Sequence, residues 1–223
     1  MSELLPILAI ETSDSICSAA LFYSKEKCFS AKITLKHSHS EKLFEVIETV
    51  ISEANMKKDQ IKSIAVSSGP GSFTGLRIGM AAAKGLSQSL GIPIFLVPTF
   101  EALALQIANL YPEKFEFIIA NKVGKDEVYF AKFQIIANNY IFKQELKIIP
   151  ITELKLLTEN LMIFGNVDFN SLGLTENVNS LSSPDAEQVA YWASLFGKSV
   201  NATEIDYLEP NYLKDFVIKE KKI

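Results

Sequence analysis

The chain has 223 residues, with 22 Lys and Arg against 26 Asp and Glu, a formal charge of −4 and 48% hydrophobic residues. That composition excludes disordered, collagen-like and disulfide-knot classes and leaves room for one large domain or two lobes of about 100 residues each. Residues 1–100 carry +1 and residues 101–223 carry −5, so there is no broad basic field, and unaided nucleic-acid binding, which rests on phosphate contacts, is disfavoured.

In chain order, residues 5–10 are continuously apolar and predict a strand buried on both faces. Residues 16–22 form a second apolar run. In 28–35, Phe29, Ala31, Ile33 and Leu35 alternate with polar or small residues, which predicts a half-buried strand. A hairpin of 15–22 with 27–34 would set Cys17 against Lys32, away from Cys28. Both cysteines are read as reduced cytosolic thiols. Leu43, Ile47, Val50, Ile51 and Ala54 recur at helical spacing. A strand over 61–67, a helix over 74–90 and a strand over 92–97 follow. Thr99 then caps a helix carrying Leu103, Ile107 and Leu110.

The second half repeats the order more faintly. Strands are predicted at 115–120, 128–136 and 140–149, with Asn138-Asn139 as the last turn. A helix at 152–159 and a strand at 161–164 come next. The last helix takes Ser183 as cap, Pro184 as its first residue and Gly197 as its stop, with a stripe of Ala186, Val189, Ala190, Ala193 and Phe196. Two copies of β-β-β-α-β-α-β-α predict an α/β chain of two lobes, each a mixed sheet, in the actin/sugar-kinase-like (ASKHA) arrangement. The lobes are drawn at 1–100 and 101–205. The tail 206–223 is expected to pack on a lobe through Tyr207, Leu208, Tyr212 and Leu213, and to fray over 219–222. No basic run precedes an apolar segment at the N-terminus and no apolar run is long enough to span a membrane, so a cytoplasmic location without membrane association is expected.

Four segments could carry chemistry. The first turn, Glu11-Thr12-Ser13-Asp14-Ser15, stands where this arrangement wraps phosphates, but it has no glycine and carries an acid; it is read as a polar turn satisfying its own backbone. The segment Gly69-Pro70-Gly71-Ser72-Phe73-Thr74-Gly75-Leu76-Arg77-Ile78-Gly79 leads from a strand into a helix. Gly69, Gly71, Ser72, Thr74 and Arg77 form a candidate anion site at that helix start; the alternative is a tight turn with a cap. Arg77 is the one arginine among the 22 basic residues. Third, Gly75, Gly79, Ala82, Ala83 and Gly85 make the helix unusually small-sided, which calls for close approach by the chain's own sheet or by another subunit. Fourth, His37, His39 and Glu41 are too few for a metal site, and no metal is assigned.

These residues resemble a known family. Residues 7–13 (Ile-Leu-Ala-Ile-Glu-Thr-Ser), His39-Ser40-Glu41, the 69–79 segment, Val97-Pro98-Thr99-Phe100, Glu127-Val128-Tyr129 and Pro210-Asn211-Tyr212-Leu213 are similar to the TsaB (YeaZ) family. Where that family has Asp-Ala-Arg before its Glu-Val-Tyr, this chain has Lys122-Val123-Gly124. The resemblance implies a two-lobe fold shared with TsaD, the relative that holds metal and nucleotide. It implies a non-catalytic scaffold that pairs with a TsaD-like paralogue and enables threonylcarbamoyl transfer to the adenosine beside the anticodon of ANN-reading tRNAs. The chain is expected to bind no cofactor alone, ATP and metal residing in partner subunits. A TsaE-like ATPase would join the complex, tRNA would be met only through it, and the chain alone would form a homodimer. Pairing is expected through the first-lobe helices, at Leu43, Ile47, Val50, Phe73, Leu76, Gly79, Ala82, Ala83 and Leu86, so that Gly79→Leu should break pairing and leave the chain folded. A small-molecule kinase or ATPase of the same fold, and a peptidase-like protein resting on His37, His39 and Glu41, are the alternatives.

Overall fold

A computed structural model describes residues 2–34, 39–158 and 161–213. The first sheet is built from β1 (Ile7–Glu11), β2 (Ile16–Ser24), β3 (Lys27–Thr34), β4 (Ser63–Gly69) and β5 (Ile94–Pro98), joined by α1 (His39–Glu53), α2 (Phe73–Leu90) and α3 (Thr99–Ala108). β1 lies antiparallel to β2 and parallel to β4, and β4 is parallel to β5. The second sheet contains β6 (Glu116–Lys122), β7 (Glu127–Ile136), β8 (Asn139–Pro150), β9 (Met162–Phe164) and the two-residue β10 (Val178–Asn179), with α4 (Ile151–Leu157) crossing from β8 to β9. Then come α5 (Ala186–Phe196) and β11 (Ser199–Val200). The predicted three-strand antiparallel start of each half is present in both sheets.

The layers follow from which strand faces are apolar. On one face of the first sheet, Leu8, Ile10, Ala19, Leu21 and Val66 meet Leu43, Val46, Ile47, Val50, Met80 and Ala83 of α1 and α2. On the other face, Ile7, Ala9, Phe22, Phe95 and Val97 meet α3 and α5. α3 is apolar over most of its surface, and its polar residues are partnered: Glu101 accepts from the Tyr140 hydroxyl, and Gln106 pairs with Asp185. Ala102 and Leu105 face the first sheet, while Phe100, Leu103, Ala104 and Ile107 pack on Phe117, Tyr129 and Phe133 of the second. A helix so largely apolar must be covered on more than one side, and α3 is, standing between the two sheets. α4 closes the far face through Leu154.

The structure corrects several details. β2 pairs with β3 so that Cys17 opposes Ile33 and Lys32 opposes Ser18: the turn is only Lys25 and Glu26, which moves the register by two, and a bulge between Phe22 and Ser24 takes one residue back. Cys17 and Cys28 face opposite sides and are both free. Burial pushes their thiols up to about 11 and about 12, so both stay protonated and unreactive near neutrality. The turn before β8 falls on Ala137 and Asn138, both at positive φ, one residue earlier than predicted. After β9 a single 3₁₀ turn, Asn170–Leu172, stands where a full repeat would have a helix. α5 begins at Ala186, not Pro184, and Ser183 is a buried residue ahead of it.

The sequence division puts 186–200 in the second lobe, yet α5 lies on the first sheet and β11 pairs antiparallel with β5. Apolarity on a helix face does not say which sheet it will cover. Leu110 and Phe196, predicted stripe residues at helix ends, are exposed. In the tail, Leu208 packs on the first core and the Tyr212 ring packs at a tilt against Phe73, while Tyr207 is 93% exposed and Leu213 is also exposed. Residues 214–223, including the predicted frayed stretch, lie outside the described residues.

Candidate functional site: the cleft between the sheets

At the carboxyl ends of β1 and β4 the chain leaves the sheet in two tight loops. α2 is anchored there by Ser72, whose hydroxyl accepts from the Gly75 N–H at 3.3 Å. The first turn lies directly on this helix. Thr12 Oγ1 donates to the Gly75 carbonyl at 2.7 Å, and the Ser72 N–H donates to the Ser13 carbonyl at 2.6 Å. A side chain on Gly71 would meet Ser13 O at 2.5 Å, and one on Gly75 or Gly79 would fall on the Thr12 carbonyl or hydroxyl oxygen. The small residues at 75 and 79 are therefore explained by the chain's own first turn, while Gly85 has nothing within 4 Å.

Glu11 lies fully buried at the root of the turn. Its two carboxyl oxygens accept from the Ser13 N–H and from the Ser67 hydroxyl. Burial pushes this carboxyl up to about 7; the hydrogen bonds from Ser13 and Ser67 oppose the shift, and the nearby Asp14 charge adds to it.

Asp14 crosses to the other lobe. Its Oδ2 accepts from Asn166 Nδ2 at 3.1 Å and from the Ser182 hydroxyl. Those donors are held in turn. Asn121 Nδ2 donates to the Ser182 carbonyl at 2.6 Å, and Asn166 Oδ1 accepts the Lys122 N–H at 2.7 Å. The first turn is thus a polar joint between the sheets, not merely a turn satisfying itself. Beside it opens a cleft of about 580 Å³, lined by Ser13, Asp14, Gly71, Ser72, Asn121, residues 122–125 and Asn166.

The predicted anion group is divided by this geometry. Gly71 and Ser72 line the cleft. Gly69, at φ +113°, instead backs onto the Asn211 carbonyl, and Asn211 N donates to Ser68 O at 2.6 Å. Thr74 is exposed and does not line the cleft. Arg77 turns away toward the C-terminal segment: its guanidinium sits 3.6 Å from the Phe73 ring centre, and its Nε donates to Tyr212 Oη at 3.0 Å. With Lys84 Nζ donating to the Asp206 carbonyl at 3.0 Å, the residues from 205 to 212 form a strap along α2. Arg77→Ala should loosen it. We expect a stability loss of about 1 kcal/mol in urea melts and faster proteolytic cleavage near residue 212.

The predicted partner stripe is the core face of its own helices. Leu43, Ile47, Val50, Leu76, Gly79, Ala82 and Ala83 are buried within the chain, and Leu86 packs partly against the same core. Phe73 is partly buried against Tyr212. The outward sides of α1 and α2 present Phe44, 53% exposed, and Ala81 and Gly85. His37 and the side chain of His39 lie outside the described residues, and Glu41 is an exposed first-turn acid of α1. Among the described residues no cluster of three or more His, Cys, Asp or Glu is placed to hold a metal, and no helix is long and apolar enough to cross a membrane.

With that geometry in hand, residues 33–164 match the family model described as TsaD: tRNA N6-adenosine threonylcarbamoyltransferase. The chain belongs to the TsaD family. Several of its relatives carry the TsaB name, and one, from Ehrlichia canis, is named tRNA N6-adenosine threonylcarbamoyltransferase. The tRNA threonylcarbamoyladenosine biosynthesis protein TsaB of Buchnera aphidicola subsp. Schizaphis graminum is 37% identical over 128 residues, covering 57% of this chain and 60% of that protein. The TsaB of Haemophilus influenzae is 29% identical over 128 residues, 57% of this chain and 53% of that protein. The matched stretch thus spans only about half to three fifths of these TsaB proteins. The solved structure titled YeaZ from Pseudomonas aeruginosa superposes with a TM-score of 0.76 at 23% identity, covering 93% of this chain and 99% of that one, which establishes the two-lobe actin-like fold. The resemblance to the TsaB (YeaZ) family read from the 69–79 segment therefore holds.

Proposed function

We propose that this chain acts in threonylcarbamoyladenosine formation on tRNA as the structural partner of a TsaD-type subunit. In this reading it supplies no chemistry of its own, and the adenosine beside the anticodon of ANN-reading tRNAs is modified by the assembled complex. The observation that carries the reading is the family match over 33–164 together with relatives named TsaB. The geometry is in keeping with it. The cleft between the sheets is crossed by the Asp14 carboxylate, a poor lining for a phosphate-bearing substrate. The acidic second lobe leaves tRNA contact to other subunits. ATP and metal would reside in those subunits, and a TsaE-like ATPase would join them.

The docking face in this proposal is the outward side of α1 and α2, around Phe44, Ala81 and Gly85, where small residues permit close helix approach. Unpartnered, the chain would pair with itself through the same face. Reconstituted tRNA modification with a TsaD-type subunit, with and without this chain, is the direct test. Product formation should require the chain, and full activity in its absence would overturn the proposal. Phe44→Glu and Ala81→Glu should reduce co-elution with the TsaD-type subunit at least about tenfold, since each sets a charge in an apolar contact, while circular dichroism stays native.

A further inference from the structure

The face of the first sheet that α5 covers is not filled to its edge. Where β1 begins and β2 ends, a cavity of about 260 Å³ opens beside α5. Its most buried lining residues are Ile7 and Phe22, 1% and 3% exposed, and Leu4, Leu5 and Tyr191 line it half-buried. The Phe22 and Tyr191 rings stand 6.2 Å apart between centres, tilted by 48°. An apolar cavity of about 150 Å³ already admits benzene, so this one has room for a ring that carries a short polar arm.

The cavity also has a cation. Lys25, in the two-residue turn between β2 and β3, is the one charged residue lining it. Its Nζ rests 4.1 Å from the centre of the Tyr191 ring, and it makes no ion pair among the described residues. The adjacent Glu26 is turned to another partner: its carboxylate accepts from the Ser24 hydroxyl at 2.8 Å, and its N–H donates to the same oxygen at 3.2 Å. The Ser194 hydroxyl is committed as well, donating to the Tyr191 carbonyl at 2.7 Å. An uncompensated ammonium on an aromatic face, beside a space lined by carbon, is complementary to a molecule with an apolar body and one negative charge.

We infer that this cavity is a binding site for a small aromatic carboxylate, with the ring against Phe22 and Tyr191 and the carboxylate on Lys25. The site is on the face of the first sheet opposite α1 and α2. It is therefore separate from the docking face proposed above and does not depend on that reading.

The test titrates the full chain with phenylacetate and, in parallel, with its uncharged analogue phenylacetamide, following backbone amide shifts by NMR. Phenylacetate should saturate with a dissociation constant of about 1 mM, as expected for a ligand of this size, and the shifts should centre on residues 4–7, 22–25 and 191–194. Phenylacetamide should bind about fivefold more weakly or worse, because it forfeits the charge-assisted contact. Lys25→Met keeps the side-chain stem in an exposed turn and removes the charge; it should erase the preference for the carboxylate. Ser194→Trp, which fills the space from a half-exposed helix position, should abolish binding of both probes while circular dichroism stays native. Absence of saturable shifts at these residues up to about 20 mM phenylacetate would overturn the inference. So would equal affinity for the two probes in the unaltered chain, or a carboxylate preference that survives Lys25→Met.

Discussion

Gly79→Leu is expected to unfold the chain, at a loss of about 4 kcal/mol or more, rather than merely break a contact between subunits. A side chain at this position would fall on Thr12 Oγ1 and lie 3.5 Å from Val66 Cγ2. Thr12 cannot step aside, because its hydroxyl is bonded to the Gly75 carbonyl of the same helix and the residue is 1% exposed. α2 would have to lift from the sheet, exposing Leu76, Met80 and Ala83. The contrast is Gly85, on the open side of the same helix. Gly85→Ala should raise stability by about 0.5–1 kcal/mol, the helix propensity difference alone. Urea unfolding followed by circular dichroism measures both. A Gly79→Leu chain that keeps its midpoint would show that the first turn does not rest on α2 as described.

The second large effect is a stability that declines with rising pH. Glu11 has a raised pKa in the folded chain, about 7 against 4.5 for the free side chain, because burial disfavours its charged form. The folded state therefore holds the proton more tightly than the unfolded state. Its contribution is fully present below about pH 4.5 and is lost as pH rises through about 7. A shift of that size is worth about 3 kcal/mol across the window. Glu11→Gln keeps the shape and the Ser13 contact and removes the titration. The stability difference between the two chains should thus favour the unaltered one at pH 5 and shrink by about 2.5 kcal/mol by pH 8. Equal slopes for the two chains from pH 5 to pH 8 would show that Glu11 does not titrate in this range.

What could be read from the sequence was the local part. Continuous apolarity marked β1, alternation at Phe29, Ala31 and Ile33 marked β3, and the helix predicted over 74–90 matches α2 within a residue. The small-residue pattern of α2 was also visible, but periodicity identifies a face and not what covers it. Gly79, Ala82 and Ala83 suited a subunit contact as well as they suited the sheet that in fact covers them. The joint at Asp14 gave no signal, since its partners Asn166 and Ser182 are 152 and 168 residues away and are ordinary polar residues in irregular segments. Arg77 was singled out correctly as unusual but for the wrong partner. It serves a tyrosine 135 residues on, and a candidate anion cradle and a clamp for a strap call for the same residue. The placement of α5 on the first sheet likewise depends on a contact that no local pattern encodes.

That placement has a consequence for how the polypeptide is made. When the ribosome has released the first hundred residues, β1 to β5 and their two outer helices can assemble, but Ile7, Ala9, Phe22 and Phe95 still look out onto water. The rest of their lid comes from residues 186–196, about 90 residues later. A nascent chain in that condition offers a sticky half-molecule to chaperones or to its neighbours on the polysome, and the two halves can mature only together.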